Sequence, residues 1–354
     1  MKFDSIASLR GYAMLLVFCS HCGAFFSAPG VWGGIAVCLF FVISGFLIGY
    51  RHFDKDEHTH KSLFQSCIVY VKSKYKKFYL LYMIMLIVGI PITFLGVIYG
   101  NRTFFDFLIR LGVHSTLLQS LVPNSNFVLS FNWPSWYLST SIIIYFFVPF
   151  ILKFVKWLFK KHYVWYFLII TTVLNLLIVI VISPQAEAYD IWYYLLYLSP
   201  YVRIVHFTQA FCVGAYLKRQ KFCGKHSYLS ATVKEFLAVT LFIVLIFLFT
   251  YPALPYSLLA YSYIIPIPFS ILMVYILARQ EGWVSKILAN KFVLGISAVS
   301  FEFYMIHRMV LVYADYANRY TLNLNGYLVA FICCIITLVL SFAYKRLYDR
   351  RVTK

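Results

Sequence analysis

The feature that most constrains this chain is a series of apolar runs, each roughly 17–25 residues long, that cover almost its whole length. An α-helix of that length crosses the apolar core of a bilayer, which is about 30 Å thick. Hydrophobic residues make up 62% of the 354 residues and charged residues only 12%, which excludes a soluble enzyme and a disordered chain. The short alternating segments of a transmembrane β-barrel are absent. The sequence therefore predicts an all-α, polytopic integral membrane bundle.

The apolar runs and their polar breaks define ten candidate spans. The segment between the third and fourth spans contains an amphipathic stretch from Thr103 to Val122, which we expect to lie along the membrane surface or to re-enter it. We expect one membrane domain over residues 1–354, with no separate soluble domain. The predicted spans are residues 6–26, 32–50, 78–98, 136–152, 164–182, 201–217, 235–251, 258–278, 292–313 and 326–344.

The charge balance predicts the orientation of these spans. The chain has 31 Lys and Arg residues against 12 Asp and Glu, an excess that in a soluble protein would indicate nucleic-acid binding. In a membrane protein, basic residues mark the cytoplasmic loops. With the N-terminus inside, segments 51–77, 153–163 and 218–234 and the basic tail are all cytoplasmic, whereas Glu187 and Asp190 mark an acidic outer loop. We therefore predict two cytoplasmic termini and no nucleic-acid partner.

The first span carries two ionisable residues, which are costly in a bilayer and point to function. Arg10 and His21 are eleven residues apart, about three turns and roughly 16 Å along a helix, so they share one face at opposite ends of the span. Arg10 suits an anionic ligand such as phosphate, and a neutral His21 near the outer side could act as a general base. The alternative is that Arg10 reaches lipid headgroups and His21 bonds a neighbouring helix.

Cysteines flank His21 in the sequence Cys19-Ser-His-Cys22, so a redox pair or a soft-metal site is a further alternative. Two thiols three residues apart, with no other Cys or His cluster at ligand spacing, are too few for a structural metal site. Most of the eight cysteines lie in apolar runs, where a free thiol behaves as a small hydrophobic group. We expect no disulfide framework, no metal and no permanently bound cofactor.

Three further stretches place polar or aromatic groups where a site could form. The ninth span contains Glu302, His307 and Arg308, either a bundle-facing site or an interhelical hydrogen-bonded lock. The second span contains Ser44 followed by Gly45, which could serve close helix packing alone. The stretch 132–139 opens the fourth span with Trp and Tyr residues, which ordinarily anchor a helix at the interface but also suit sugar rings.

Taken in order, these stretches resemble the acyltransferase-3 family of integral-membrane O-acyltransferases along essentially the whole chain. The most specific match is the second-span pattern from Phe40 to Ile48. The other matching motifs are Arg10 with His21, Trp136-Tyr137-Leu138-Ser139 with Tyr145 and Pro149, Arg203 with Phe211 and Gly214, and Ser300 to His307. The chain departs from the family where many members have Glu in place of Ser141, and where a basic Arg-hydrophobic-x-Pro segment is replaced by Lys77-Phe78-Tyr79-Leu80.

The resemblance implies a ten-helix enzyme of the bacterial plasma (inner) membrane. Such an enzyme takes an acyl group, usually acetyl, from cytoplasmic acyl-CoA and places it on a hydroxyl of a cell-surface polysaccharide, such as lipopolysaccharide O-antigen, or of its lipid-linked precursor. The expected partners are acyl-CoA as donor substrate, the glycan acceptor and membrane lipids. The resemblance also implies that Arg10 and His21 are required for activity.

We predict a site that runs along the first span, with His21 as general base on the acceptor hydroxyl. The expected donor-binding residues are Arg10, Lys72, Lys76, Lys77 and Ser44. The expected acceptor-side residues are Trp136, Tyr137, Ser139, Glu302 and His307. A covalent acyl-enzyme on Ser139, Cys22 or His21 is the mechanistic alternative.

Two other functions fit ten helices with polar residues near midspan. A transporter or flippase of glycans or small anions is the first, although the internal inverted repeats and the paired Gly- or Pro-interrupted helices of many transporters are not evident. A non-catalytic membrane scaffold is the second, and it would have no need of His21.

Overall fold

The computed structural model describes residues 3–54, 62–185, 190–220, 227–250 and 260–352. All regular structure in these ranges is helical, which confirms the predicted all-α fold. Short 3-10 turns cover Cys22–Ala24, Gln119–Leu121, Ser183–Gln185 and Ala260–Tyr263, and π-helical turns cover Tyr194–Leu198 and Asn318–Leu322. The α-helices, numbered α1 to α16 in chain order, are Asp4–His21, Val31–His52, Leu63–Ile98, Phe104–Ser115, Ser125–Val128, Ser135–Phe146, Val148–Lys160, Val164–Ile182, Asp190–Tyr193, Pro200–Arg219, Tyr228–Thr250, Pro266–Ala278, Trp283–Leu288, Lys291–Ser297, Ser300–Ala317 and Gly326–Val352.

Seven helical segments in the described ranges are long and apolar enough to cross a membrane, and nine are if each of two bent helix pairs counts as one span. The predicted span 201–217 corresponds to α10, which has 20 residues but is interrupted by Arg203, His206 and Gln209. All three of these polar residues are buried inside the protein. Residues 251 and 258–259 of two predicted spans, and Glu187 of the predicted acidic loop, lie outside the described residues. The prediction that both termini are cytoplasmic stays a prediction.

Helix α3 is much longer than the predicted span 78–98. It begins at Leu63 and continues for 36 residues, or about 54 Å, well beyond the thickness of a bilayer core. The Ser62 hydroxyl caps its N-terminus by accepting a hydrogen bond from the Gln65 amide at 3.2 Å. Part of the predicted basic loop 51–77 is therefore helix, and its lysines are held on defined helix faces.

The predicted fourth and ninth spans are each broken. Helices α6 and α7 meet at 58°, with Phe147 between them, and Pro149 stands in the first turn of α7. Proline has no amide hydrogen and its ring clashes with the preceding turn, so an uninterrupted helix through this point is disfavoured. Helix α14 and the helix that starts at Ser300 meet at 60°.

The second helix packs closely on α10 through its glycines. Gly45 and Gly49 are one turn apart, and a Cβ atom on either would collide with the Phe207 or Phe211 carbonyl oxygen of α10. Small residues four apart allow two helix backbones to approach in this way. The structure therefore confirms that Gly45 serves close helix packing.

The predicted amphipathic stretch 103–122 forms α4, followed by the 3-10 turn Gln119–Leu121. The Thr103 hydroxyl caps α4 by accepting a hydrogen bond from the Asp106 amide at 3.1 Å. Phe104, Phe105 and Leu108 are exposed. An apolar face of this kind suits the membrane interface, and its placement there stays a prediction.

Candidate active site

Two histidines from opposite ends of the sequence meet at the end of α1. The Nδ1 atom of His21 lies 2.8 Å from Nε2 of His307 on α15, and the two rings stack at 24° with their centroids 5.1 Å apart. His307 is 1% exposed, and its Nδ1 lies 3.2 Å from the Phe303 carbonyl oxygen. The predicted site residues His21 and His307 are therefore in direct contact.

This hydrogen-bond chain determines where the protons lie. A carbonyl oxygen only accepts, so Nδ1 of His307 carries the hydrogen and its Nε2 presents a lone pair when the ring is neutral. That lone pair accepts from Nδ1–H of His21, so Nε2 of His21 is unprotonated when His21 is also neutral. No hydrogen bond among the described residues occupies this nitrogen. It has the protonation state that a general base requires.

His21 lines a cavity of about 230 Å³ whose walls are largely aromatic. Glycines at the start of α2 form part of its lining, and Ser20 and Val37 lie nearby in the same wall. Aromatic faces of this kind are suited to apolar and sugar groups. The aromatic lining residues are Trp133, Trp136, Tyr193, Tyr197, Tyr263 and Tyr304.

A buried arginine holds two of these aromatic residues in place. The rings of Tyr197 and Tyr263 stack with centroids 4.6 Å apart. Arg203 donates from Nε to the Tyr197 carbonyl oxygen at 3.0 Å and from its guanidinium to the Tyr263 carbonyl oxygen at 3.1 Å. Its side chain is fully buried. Sequence reasoning placed Arg203 in a family motif but missed this role, because the Tyr263 carbonyl is distant in sequence.

The other end of α1 carries the second half of the predicted site. Arg10 is half-buried and lies within electrostatic range of the hydroxyls of Tyr137 and Tyr145 and of the Arg51 guanidinium. The Ser44 hydroxyl is 3.5 Å from the Tyr137 hydroxyl. No carboxylate forms an ion pair with Arg10 within the described ranges. The predicted residues Arg10, Ser44 and Tyr137 thus form one hydroxyl-rich cluster with an unpaired cation.

Aromatic rings lie between the Arg10 cluster and the His21 cavity. The ring of Tyr304 is 5.6 Å from that of Tyr137 and 5.7 Å from that of Phe40, measured between centroids. Tyr304 also lines the cavity and donates from its hydroxyl to the Pro134 carbonyl oxygen at 3.0 Å. The two ends of the predicted site are therefore connected by packed aromatic side chains.

The predicted lysines lie on the basic half of α3. Lys72, Lys76 and Lys77 are exposed. Lys74 was not among the predicted site residues, yet it is half-buried, lies 5.1 Å above the ring of Tyr70 and is within electrostatic range of Arg51. Helical spacing is the signal that could have separated Lys74 from Lys72 and Lys76, because those two share another face.

Three predicted acceptor-side residues, Tyr137, Ser139 and Glu302, are not part of the His21 cavity, and Tyr137 lies instead in the Arg10 cluster. The Ser139 hydroxyl is fully buried, donates to the Leu117 carbonyl oxygen at 2.8 Å and accepts from the Ser120 amide at 3.1 Å. Glu302 lies within electrostatic range of Lys345 and Lys77. Trp136 and His307, by contrast, lie at the cavity or in contact with His21.

Of the two cysteines beside His21, Cys22 is engaged elsewhere. Cys22 is buried, and its thiol donates to the Phe18 carbonyl oxygen at 3.3 Å. Free thiols are found at Cys19, Cys22, Cys38, Cys212, Cys333 and Cys334, and the described ranges contain no group of three metal-binding side chains.

Comparison with known proteins identifies a family for this chain. A family model described as an acyltransferase domain matches residues 3–346, nearly the whole chain. The chain belongs to the acyltransferase-3 family. This match confirms the family that the sequence motifs predicted. The match and the apolar helices together identify a multi-pass membrane protein.

A curated protein is similar to part of this chain. The chain is similar to "Acyltransferase MdmB" of Streptomyces mycarofaciens, with 29% identity over 163 residues, which are 42% of this chain and 39% of that protein. The similarity thus spans about two fifths of the relative's length. No solved structure is significantly similar to the chain.

Proposed function

We propose that this protein is a membrane O-acyltransferase of the bacterial plasma membrane. It transfers an acyl group, most simply acetyl, from cytoplasmic acyl-CoA to a hydroxyl of a surface polysaccharide or its lipid-linked precursor. The observation that carries the proposal is the contact of His21 Nδ1 with His307 Nε2 beside an aromatic cavity, which leaves Nε2 of a neutral His21 without a hydrogen. Family membership supports the acyl transfer.

The chemical step assigns a role to each group. Nε2 of His21 removes the proton from the acceptor hydroxyl, and the hydroxyl oxygen attacks the thioester carbonyl carbon. The carbon–sulfur bond breaks, the ester forms, and the proton passes from His21 to the departing CoA thiolate. General-base catalysis by a positioned histidine is worth about 10²–10⁴-fold in rate.

The Arg10 cluster is suited to the donor. A guanidinium with no paired carboxylate among the described residues can make bidentate hydrogen bonds to phosphate, and the hydroxyls of Tyr137 and Tyr145 lie beside it. The helix rise of about 1.5 Å per residue separates Arg10 from His21 by roughly 16 Å, a distance suited to the extended arm of CoA. Lys74 and Arg51 add positive charge at this end.

Direct transfer is better supported than an acyl-enzyme on Ser139 or Cys22. Both side chains already donate to backbone carbonyl oxygens, of Leu117 and Phe18 respectively, and neither lines the cavity. A nucleophile needs a base within hydrogen-bond reach, and no histidine is bonded to either residue.

The test is transfer of labelled acetyl from acetyl-CoA in membranes that contain the wild type, His21→Ala or His162→Ala. His162 is an exposed histidine outside the site, so its variant controls for the loss of a histidine. We expect label on glycan with the wild type and with His162→Ala, and a loss of at least about 100-fold with His21→Ala at equal amounts of folded protein.

Two results would contradict the proposal. Unchanged labelling in His21→Ala would remove the proposed base. Absence of labelling with every protein, although polysaccharide is supplied, would instead favour a transporter, and uptake of glycan into vesicles would then be the assay.

A further inference from the structure

A second cavity, of about 300 Å³, adjoins the His21 cavity. Trp133 lines both, so its indole forms a wall between them. The second cavity carries two cations and one carboxylate beside aromatic rings, a composition unlike the first. The polar and aromatic residues that line it include Trp133, Arg308, Asp315, Tyr316, Arg319 and Tyr320.

Arg308 is the unsatisfied group in this cavity. Its guanidinium carbon lies 4.2 Å from the centroid of the Trp133 ring. Its Nε is buried and has no hydrogen-bond partner among the described residues. Asp315 is within electrostatic range, but its Oδ1 accepts from Nε of Arg319 at 2.8 Å. A partly buried cation that lacks its own hydrogen-bonded anion is costly, and a ligand anion would offset that cost.

The sequence places this cation directly beside the proposed base. Arg308 follows His307, and consecutive side chains of a helix are about 100° apart. His307 therefore contacts His21 while Arg308 turns to the far side of the cavity wall and stacks on Trp133. His21 and Arg308 lie within electrostatic range of each other, so one ligand across Trp133 can contact both Nε2 of His21 and the guanidinium of Arg308.

We propose that the second cavity is an anion subsite for the acyl acceptor, in which Arg308 binds a phosphate or carboxylate of the glycan. A planar guanidinium makes bidentate hydrogen bonds to either group, and the Trp133 face suits the sugar ring between the two ends. The acceptor is then an acidic glycan or a sugar phosphate. This subsite rests on the proposed function for its link to catalysis, but binding itself does not depend on acyl transfer.

The test measures binding to the purified full-length protein in detergent. The probes are glucose, glucuronic acid, glucose 1-phosphate and phosphatidylglycerol. The proteins are the wild type, Arg308→Gln, Arg308→Lys and Arg102→Gln. Arg102 is a matched control because its guanidinium already donates to Asn126 Oδ1 at 2.7 Å, outside both cavities. Dissociation constants come from ligand-induced shifts in thermal unfolding, with gel filtration to verify folding.

We expect the wild type and Arg102→Gln to bind at least one acidic probe about tenfold more tightly than glucose, which corresponds to about 1.4 kcal/mol. Arg308→Gln should lose this preference, and Arg308→Lys should retain part of it because an ammonium keeps the charge but not the fork. Preference for glucuronic acid would identify an acidic sugar, and preference for glucose 1-phosphate a phosphorylated precursor.

Three outcomes overturn the subsite. The first is equal binding of acidic and neutral probes to the wild type. The second is a preference for acidic probes that is the same in Arg308→Gln and Arg308→Lys as in the wild type. The third is Arg308-dependent binding of phosphatidylglycerol with no binding of glucuronic acid or glucose 1-phosphate. The last would make the cavity a lipid-headgroup site. If acidic probes bind but no acyl transfer is detected, the proposed function fails and the subsite stands.

Discussion

Two arginines inside the helical bundle differ in the partners that stabilise their charge. Arg203 on α10 is fully buried and donates to the carbonyl oxygens of Tyr197 and Tyr263, with its charge beside the rings of Phe41 and Tyr197. Arg10 on α1 has tyrosine hydroxyls nearby and no paired carboxylate within the described ranges. The protein hydrogen-bonds Nε and one terminal nitrogen of Arg203, while the other terminal nitrogen has no partner among the described residues. Arg10, by contrast, is open to a ligand.

The same contrast separates two residues of the predicted site, Ser139 and His21. Ser139 has its hydroxyl bonded on both sides, and Nε2 of His21 is unoccupied. Polar groups bonded within the protein stabilise the fold, and polar groups without such bonds are the candidates for chemistry. Variants on each side of this division should therefore change different measured quantities.

The largest effect is expected for Arg203, which is hydrogen-bonded to two carbonyl oxygens within the protein. Arg203→Gln should reduce the free energy of unfolding by about 2–4 kcal/mol, because the Tyr197 carbonyl oxygen loses its Arg203 donor and the Tyr263 carbonyl oxygen keeps only the weak Cys38 thiol donor. Thermal unfolding of the purified protein in detergent measures this loss. Arg203→Lys should recover little, since one ammonium group does not reproduce the fork that reaches both carbonyls. A variant as stable as the wild type would show that Arg203 does not hold the cavity wall.

Substitution of Arg10 should affect the binding of acetyl-CoA rather than the stability of the protein. Arg10→Gln is expected to raise the KM for acetyl-CoA about 10- to 30-fold through the loss of charge-assisted hydrogen bonds to phosphate, while the unfolding temperature stays within about 2 °C of the wild type. Initial-rate kinetics with acetyl-CoA as the varied substrate provide the measurement. Arg346→Gln, an exposed arginine of α16, is the matched control. An unchanged KM together with a large fall in stability would show that Arg10, like Arg203, stabilises the fold rather than binding the donor.

The smallest effect is expected for Ser139→Ala. Loss of its hydroxyl removes bonds to Leu117 and Ser120, so the free energy of unfolding should fall by about 1 kcal/mol. Activity per folded molecule should stay within about twofold of the wild type, because the hydroxyl does not face the cavity and the base is supplied elsewhere. Acyl transfer normalised to folded protein checks this. Complete loss of activity in a stable variant would revive the acyl-enzyme alternative.

Local sequence patterns were sufficient for much of the fold. Apolar runs of the right length predicted most of the long helices, and Gly45 with Gly49 marks a close helix contact. The start of α3 was missed because a lysine-rich stretch resembles a loop, although Ser62 supplies a capping signal in the sequence. The bend at α7 was also missed, despite Pro149 in its first turn.

The site was predictable only in part. The spacing of Arg10 and His21 placed them on one helix face at opposite ends of a span, and the structure keeps them on α1. The contact between His21 and His307 joins residues 286 positions apart, and no local pattern specifies it. The carbonyl partners of Arg203 are equally invisible in the sequence, since backbone atoms carry no residue code.

The hydrogen-bond chain from His21 through His307 to the Phe303 carbonyl oxygen is closed at one end. A carbonyl oxygen does not take up a proton at ordinary pH, so this chain can share a positive charge between two rings but has no exit behind them. During the proposed transfer, the proton taken from the acceptor can leave only by the nitrogen through which it entered. The base therefore resets itself within each turnover, with the departing thiolate as the proton's destination and no bulk water required.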